Sequence, residues 1–394
     1  MSHENGNCFS FFPFYPAFCY ICGYNQPHLK IKRLITLAAA LFLSAALFAE
    51  KTPQKVQYVY KEATELNLVG KLMPTPNPYH RVDTVKYKGF TKGENFQVRC
   101  PAGMCIMFKT NSSSISVQAD GDFSYLSNST MRLSSNGYDL YIKDKNGKWL
   151  WAAATGTNIK NPEKPVTLIK NMPDGDKECM MYLPIYSELW SVRIGVEKGR
   201  TLEPLESDFR HRVAIFGSSF THGISTSRAG MSYPMQFTRH TGIQMLSLGC
   251  SGNCKLQPYF ADVLADVDAD AFVFDSFSNP GADMIHERLF PFIEKLSAAH
   301  PGKPLIFQQT IYRESRNFNT GNDEFEAAKQ HMADSLMKIA VKKYPDVYFI
   351  QTNATSPLHE TSVDGTHPDD YGYYLWSRSI EKSLLKILKK YGIK

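Results

Sequence analysis

Three residues in the C-terminal half of the chain have the types and spacing of a serine-nucleophile site. Ser219 lies in the stretch Gly217-Ser-Ser-Phe-Thr-His-Gly223, and Asp364 precedes His367 by three residues. A serine hydroxyl is a poor nucleophile unless a base removes its proton. A carboxylate that accepts the Nδ1–H of an imidazole leaves Nε2 facing such a hydroxyl. The pattern predicts acyl transfer with Ser219 as nucleophile, His367 as base and Asp364 as the orienting group.

Each stretch alone also has a simpler interpretation. Serine and glycine after a strand more often form a turn with a helix cap. The hydrolase pattern G-x-S-x-G is not met, because Thr221 stands at its last position. An isolated Asp-x-x-His pair is common, so the prediction depends on the two stretches acting together.

Two further stretches offer groups that could stabilise an oxyanion. Gly249 follows an apolar run in Leu248-Gly-Cys-Ser-Gly-Asn253, and Asn279 follows another in Asp275-Ser-Phe-Ser-Asn-Pro280. The predicted oxyanion hole consists of the backbone N–H groups of Ser219 and Gly249 and the side chain of Asn279. The alternatives are an ordinary strand-to-helix turn for the glycine and a turn-shaping asparagine before a proline.

The residues after about position 205 alternate between short apolar runs and helical patterns. The runs are typical of strands buried on both faces of a parallel sheet. They are Val213–Phe216, Met245–Leu248, Ala271–Phe274, Pro304–Phe307 and Val347–Ile350. Apolar spacing predicts helices over Gly281–Ala299, Glu324–Lys343 and Tyr371–Tyr391. This pattern predicts a three-layer α/β domain over residues 206–394, with its site at the carboxyl ends of the strands.

Residues 50–205 have a β pattern, and we predict a separate sandwich or jelly-roll domain there. Short runs separated by Gly, Pro, Asn and Asp support this interpretation. The predicted strands are Val56–Tyr60, Phe96–Arg99, Ile115–Gln118, Met131–Leu133, Leu140–Ile142, Val166–Ile169 and Met180–Leu183.

The first 49 residues are predicted to be an extension followed by a secretory signal peptide. The basic stretch Lys30-Ile-Lys-Arg33 precedes an apolar span of 16 residues, Leu34–Ala49. A membrane-spanning helix needs about 20 residues. We therefore expect cleavage after Ala49 and a secreted or periplasmic protein without a membrane span, with a retained signal anchor as the alternative. Residues 1–29 are interpreted as an upstream extension.

Together, the four stretches resemble the SGNH (GDSL-type) hydrolase superfamily. This family has Ser, Gly, Asn and Asp-x-x-His in four ordered blocks, which match Ser219, Gly249, Asn279 and Asp364 with His367. The resemblance implies a flavodoxin-like three-layer fold and esterase activity. The first block departs from the family in having Gly-Ser-Ser where Gly-Asp-Ser is usual.

A narrower resemblance extends over the front region. Gly137-Tyr-Asp-Leu-Tyr141 is similar to the G-x-D-L-Y signature of a β domain that precedes a subset of these hydrolases. Proteins of this subset resemble bacterial carbohydrate esterases and acyl hydrolases. The resemblance implies removal of acetyl groups from a glycan ester. The alternatives are an acyltransferase with the same triad, and a carbohydrate-binding protein with an inactive hydrolase domain.

Composition argues against several other classes of function. The formal net charge of +6 is spread along the chain, so a nucleic-acid partner is not expected. The sequence has neither H-E-x-x-H nor zinc-spaced Cys/His ligands, so we expect no metal and no cofactor, and a metal-dependent deacetylase is the least favoured alternative. Five cysteines follow residue 50. They could form the short pairs Cys100/Cys105 or Cys250/Cys254, or remain free buried thiols.

Overall fold

The computed structural model describes residues 56–394 except residues 124–126, 158, 160 and 162. The predicted signal peptide with its cut after Ala49, and the extension 1–29, lie outside these residues. Among the helices of the described part, none is long and apolar enough to cross a membrane.

The first part of the described chain folds into two antiparallel sheets. Its strands are β1 Tyr58–Glu62, β2 Asn67–Val69, β3 Cys105–Thr110, β4 Ile115–Phe123, β5 Gly137–Lys143, β6 Trp149–Gly156, β7 Val166–Ile169, β8 Lys177–Tyr182, β9 Ser187–Glu197 and β10 Leu202–Pro204. One sheet has the order β1-β9-β4-β7, and the other has β10-β3-β8-β5-β6 with β2 beside β3. Side chains of both sheets, such as Ile115, Val192, Phe108 and Leu140, share one core. The prediction of an all-β front region is confirmed, and its jelly-roll topology stays a prediction.

Two predicted strands of this region are helical, so these predictions were wrong. Phe96–Arg99 lies in helix α1, Lys92–Arg99, which begins with a capping box between Thr91 and Glu94. Met131–Leu133 leads into helix α2, Arg132–Asn136, where two serine hydroxyls donate to the carbonyl of Met131. In both places local polar side chains favour a helical turn over the extended conformation that the apolar residues suggested.

The second part of the described chain is a three-layer α/β structure. Its strands are β11 Arg210–Gly217, β12 Ile243–Gly249, β13 Ala271–Asp275, β14 Leu305–Gln308 and β15 Val347–Ile350. Its helices are α3 Ser219–His222, α4 Tyr233–Thr241, α5 Pro258–Ala265, α6 Ala282–Ala299, α7 Thr320–Lys343 and α8 Asp370–Lys390. The strands pair in parallel in the order β12-β11-β13-β14-β15. This is the flavodoxin-like arrangement, and the predicted fold class is confirmed.

The two parts are packed on each other, since residues 56–394 form one compact unit by their contacts. One hydrophobic core contains Tyr141 and Tyr182 from the front sheets together with Tyr233 and Phe237 from α4. The predicted division near residue 205 falls between β10 and β11, and whether the two parts are independent domains stays a prediction.

The G-x-D-L-Y stretch forms part of this contact. Asp139 is fully buried and accepts hydrogen bonds from the backbone of Gly230 (2.9 Å), the Arg228 guanidinium (3.1 Å) and the Trp151 indole (3.1 Å). Burial raises the pKa of Asp139, and the Arg228 charge opposes that rise. The motif aspartate therefore ties strand β5 to the segment that follows the nucleophile helix.

All five cysteines of the described chain are free and buried. The alternative of free buried thiols is therefore the one found, and neither predicted short pair, Cys100/Cys105 or Cys250/Cys254, is formed.

Replacing the buried aspartate tests the contact between the two parts. We expect Asp139→Ala to lower the free energy of unfolding by about 3 kcal/mol, because Arg228 would keep its charge without its carboxylate partner. Urea unfolding at pH 7 measures this loss. The matched control is Asp174→Ala, whose carboxylate is 91% exposed and should change stability by less than about 0.5 kcal/mol. Equal stability of the two variants would contradict the expectation.

Candidate active site

The structure brings Ser219, His367 and Asp364 into one hydrogen-bonded chain. The Ser219 hydroxyl lies 3.0 Å from Nε2 of His367, and Nδ1 of His367 lies 2.7 Å from Oδ2 of Asp364. Oδ1 of Asp364 accepts from the backbone N–H groups of Thr366 (3.0 Å) and His367 (2.8 Å). The turn itself thus fixes Oδ1 of Asp364. Because Oδ2 accepts from the imidazole, Nδ1 of His367 carries the proton, and Nε2 is left to accept a proton from Ser219.

Ser219 lies at the end of strand β11, where the chain turns directly into α3. As the first residue of this helix, it has a backbone N–H without an intrahelical acceptor. Gly217 makes the tight turn possible, because a Cβ there would lie 1.9 Å from the Thr221 hydroxyl. The nucleophile is 5% exposed.

The Asp364–His367 turn is held from two sides. Gly365 has a φ of +80°, a conformation that favours glycine, and its carbonyl accepts from the backbone of Ser315 (2.7 Å). Directly after the turn, the Asp369 side chain caps α8 by accepting from Gly372 (2.8 Å). The imidazole is therefore held between a fixed turn and a helix start.

Asp275 is a site residue that the sequence interpretation missed. This fully buried carboxylate ends strand β13 and accepts from the backbone (3.1 Å) and hydroxyl (2.9 Å) of Ser218. It also accepts from the hydroxyls of Thr221 (3.0 Å) and Ser278 (2.9 Å). Burial raises the pKa of Asp275, and these hydrogen bonds act against the rise. A carboxylate from the third strand thus binds the serine that departs from the family pattern in the first block.

Asn279 is oriented by the turn that follows β12. Its Oδ1 accepts from the backbone N–H of Cys254 at 3.1 Å. Because the oxygen is engaged there, the amide nitrogen of this half-buried residue is the group left for a ligand. This is the orientation that a donor to an oxyanion needs.

Both polar backbone groups of Gly249 have partners within the protein. Its carbonyl accepts from Arg81 (3.0 Å) and its N–H lies 3.4 Å from the Ser247 hydroxyl, at the outer edge of the sheet. A Cβ on Gly249 would lie 2.2 Å from the backbone nitrogen of His222, so its glycine permits close packing of α3. The exposed glycine of the block is Gly252, in the turn that contacts Asn279. The oxyanion role of Gly249 stays a prediction that these contacts do not support.

Burial and nearby charges set the protonation of the catalytic pair. Burial lowers the pKa of His367. The hydrogen bond that Nδ1 donates to Asp364 raises it, and the charge of Arg313 lowers it, with a net decrease in pKa. Burial raises the pKa of Asp364, but the hydrogen bonds from His367 outweigh this effect and the net pKa is lowered. The pair is thus neutral imidazole with ionised carboxylate near neutral pH.

Over the described residues, no group of three or more His, Cys, Asp or Glu side chains is arranged to hold a metal ion.

Family models match both parts of the chain. The N-terminal region of SGNH-hydrolase-type esterases, named for G-x-D-L-Y, matches residues 56–202, and the GDSL-like lipase/acylhydrolase family matches residues 210–385. The crystal structure of a GDSL-like lipase from Bacteroides ovatus is 36% identical with a TM-score of 0.80, over 84% of this chain and 98% of that one. The chain therefore belongs to the GDSL-like lipase/acylhydrolase family, and the resemblance predicted from its motifs is confirmed.

Two more distant structures share the fold over the same extent. A salicylyl-acyltransferase from a tetracycline biosynthetic pathway is 18% identical with a TM-score of 0.62, over 84% of this chain and 98% of that one. A family two carbohydrate esterase from Cellvibrio japonicus is 9% identical with a TM-score of 0.54, again over 84% and 98%. Among curated proteins, none matches the chain.

The lowered pKa of His367 predicts the acid limb of the pH–rate profile. Because burial disfavours the imidazolium, the neutral base should persist below pH 6.5, the ordinary pKa of histidine. We expect kcat/KM for 4-nitrophenyl acetate to fall with an apparent pKa below 6.5. His286→Gln, on the exposed side of α6, should leave this limb unchanged. An acid limb at or above pH 6.5 would rule out the predicted environment.

Proposed function

We propose that this protein is an exported serine esterase that removes acetyl groups from carbohydrate through an acyl-enzyme. The observation that carries the proposal is the hydrogen-bonded chain from Ser219 through His367 to Asp364. It supplies a nucleophile, a base and an orienting carboxylate, as ester cleavage requires.

The proposed reaction has two acyl-transfer steps. Nε2 of His367 takes the proton of Ser219 while Oγ attacks the ester carbonyl carbon. The resulting oxyanion accepts from the N–H of Ser219 and the amide of Asn279, with the N–H of Gly252 as the third candidate donor. Collapse releases the sugar alcohol, which receives its proton from His367. Water then attacks the acyl-enzyme by the same route and releases acetate.

A carbohydrate substrate is supported by an exposed, oriented aromatic ring on the front region. Trp151 is 54% exposed, its indole N–H donates to Asp139, and the Arg228 guanidinium lies 5.0 Å from the ring centre. The preceding residue, Ser227, donates to Asp370, three residues after the catalytic histidine. One face of a fixed indole is thus available where the two parts of the chain meet, which suits stacking on a sugar ring. The fold shared with a carbohydrate esterase agrees with this proposal.

Acyl transfer to an alcohol other than water is the second candidate. The fold shared with a salicylyl-acyltransferase favours it, and both reactions proceed through the same acyl-enzyme. Product analysis with a competing alcohol separates them, because a transferase would form a new ester in preference to acetate. Export is proposed from the apolar segment before Ala49. Its test is the N-terminal sequence of the mature protein.

Removing the nucleophile tests the proposed chemistry. We expect Ser219→Ala to abolish hydrolysis of 4-nitrophenyl acetate and labelling by a fluorophosphonate, because both require the Oγ nucleophile. Ser207→Ala, in the connection between β10 and β11, is the matched control and should keep both activities. Failure of the native protein to react with either reagent would favour the inactive carbohydrate-binding alternative.

Replacing the exposed tryptophan tests the carbohydrate proposal. We expect Trp151→Ala to raise KM for acetylated xylan about fivefold, since a stacked ring contributes about 1 kcal/mol. It should leave kcat/KM for 4-nitrophenyl acetate within about twofold, because that ester has no sugar ring for the indole to bind. Trp190→Ala is the matched control, as this residue is 55% exposed on the other front sheet. A preference for long-chain nitrophenyl esters over acetylated polysaccharides would refute a sugar substrate.

A further inference from the structure

Strand β12 is at the edge of the catalytic sheet, and side chains cover its outer side. An edge strand presents backbone groups that no neighbouring strand satisfies. Arg81 donates to the carbonyls of Ser247 (3.1 Å) and Gly249 (3.0 Å). Beyond the strand, the Gln97 amide donates to the carbonyl of Ser251 (3.1 Å) and accepts from its N–H (2.5 Å). The carbonyls of three alternate residues thus accept hydrogen bonds from side chains of the front region.

The two covering side chains form one unit. Arg81 is 0% exposed and also donates to the carbonyls of Gln97 (2.6 Å) and Cys100 (2.7 Å), at the end of α1. Gln97 is 7% exposed and lies on that helix. Its paired contacts with Ser251 copy the exchange of two hydrogen bonds between strands. The helix therefore holds the chain where β12 ends and the next turn begins.

This contact continues to the oxyanion group. Ser251 opens the turn in which the N–H of Cys254 donates to Oδ1 of Asn279. The Tyr186 hydroxyl is hydrogen-bonded to the Ser251 hydroxyl and holds the same residue from a second direction. A continuous path of hydrogen bonds and covalent chain thus joins Gln97 to the amide of Asn279, and Asn253 donates to the same Ser251 carbonyl (2.8 Å) from within the turn.

The orientation of the Asn279 amide matters because its two ends are chemically opposite. With Oδ1 bound by Cys254, the NH₂ group is left to donate to an oxyanion. Rotation by half a turn would present a carbonyl oxygen to a negative charge. The hydrogen bond from the N–H of Cys254 in this turn favours the donating orientation.

We propose that Gln97 is a positioning residue that acts through the turn 251–254 to keep Asn279 in its donating orientation. The proposal rests on the proposed function for its kinetic consequence, though the contact itself does not. Because Gln97 lies outside the α/β half, the front region would then help to position a donor of the oxyanion hole.

Kinetics of a near-isosteric variant provide the first test. Gln97→Met keeps the volume and loses both hydrogen bonds to Ser251. We expect kcat for 4-nitrophenyl acetate to fall about tenfold with KM within about twofold, because misplacement of an oxyanion donor acts on the transition state. The matched control is Gln244→Met, which makes the same change near the other end of β12 and should leave kcat unchanged. Should Gln97→Met fail to fold, Gln97→Asn, which is too short to reach Ser251, replaces it.

A double-mutant cycle separates positioning from general destabilisation. Asn279→Ala alone should lower kcat by about 100-fold or more. If Gln97 acts through Asn279, kcat of the double variant should lie within about twofold of kcat of Asn279→Ala. Rate losses that multiply would overturn the proposal, as would an unchanged kcat in Gln97→Met.

Hydrogen exchange provides a readout without activity. The Cys254 amide should exchange at least about tenfold faster in Gln97→Met than in the native protein, and at the native rate in Gln244→Met. Equal protection in all three would overturn the proposal. Failure of the proposed function would appear differently, as a native protein inert towards esters and fluorophosphonate while the exchange result still stands.

Discussion

One hydrogen bond joins residues that lie 148 positions apart in the chain, the 3.0 Å contact between the hydroxyl of Ser219 and Nε2 of His367. The two residues belong to elements that enter the site from different directions. The serine comes from the end of a central strand, and the imidazole comes from a turn held against the start of the last helix. A parallel sheet makes such convergence possible, since its strands all end at the same edge.

The carboxyl ends of the strands also explain how the site accommodates Gly-Ser-Ser in place of Gly-Asp-Ser in the first block. A buried carboxylate at the end of the neighbouring strand, Asp275, accepts both polar groups of Ser218 and also binds the hydroxyl of Ser278, one residue before Asn279. The nucleophile loop and the oxyanion loop therefore share one acceptor. This arrangement supplies fixed polar groups with little reorganisation during reaction, which is the main requirement of electrostatic catalysis.

The sequence predicted the catalytic half well, because its signals are strong and local. Mostly apolar runs identified all five parallel strands, and the order of four short blocks placed Ser219, Asp364 and His367 after the carboxyl ends of the strands. Asp275 was missed, since a carboxylate at a strand end looks like any turn residue until its partners are known. The oxyanion role of Gly249 stays a prediction: its residue type suggested a donor, and in the structure its N–H lies 3.4 Å from the Ser247 hydroxyl, a contact that a sequence pattern does not reveal. In the front region, the apolar residues of Phe96–Arg99 and Met131–Leu133 suggested strands, but the capping and turn interactions of nearby polar side chains make both segments helical.

The covering of β12 by Arg81 and Gln97 has a consequence for dividing the molecule. A fragment that begins at β11 would keep every strand of the parallel sheet. Strand β12 would, however, lose the Arg81 side chain that binds its outward carbonyls. The carbonyls of Ser247 and Gly249 would then be open to strand addition from a second molecule, the usual origin of edge-to-edge aggregation. A fusion protein that contains only this catalytic half would therefore need to keep the segment from Arg81 to Cys100, or another segment that covers the outer side of β12.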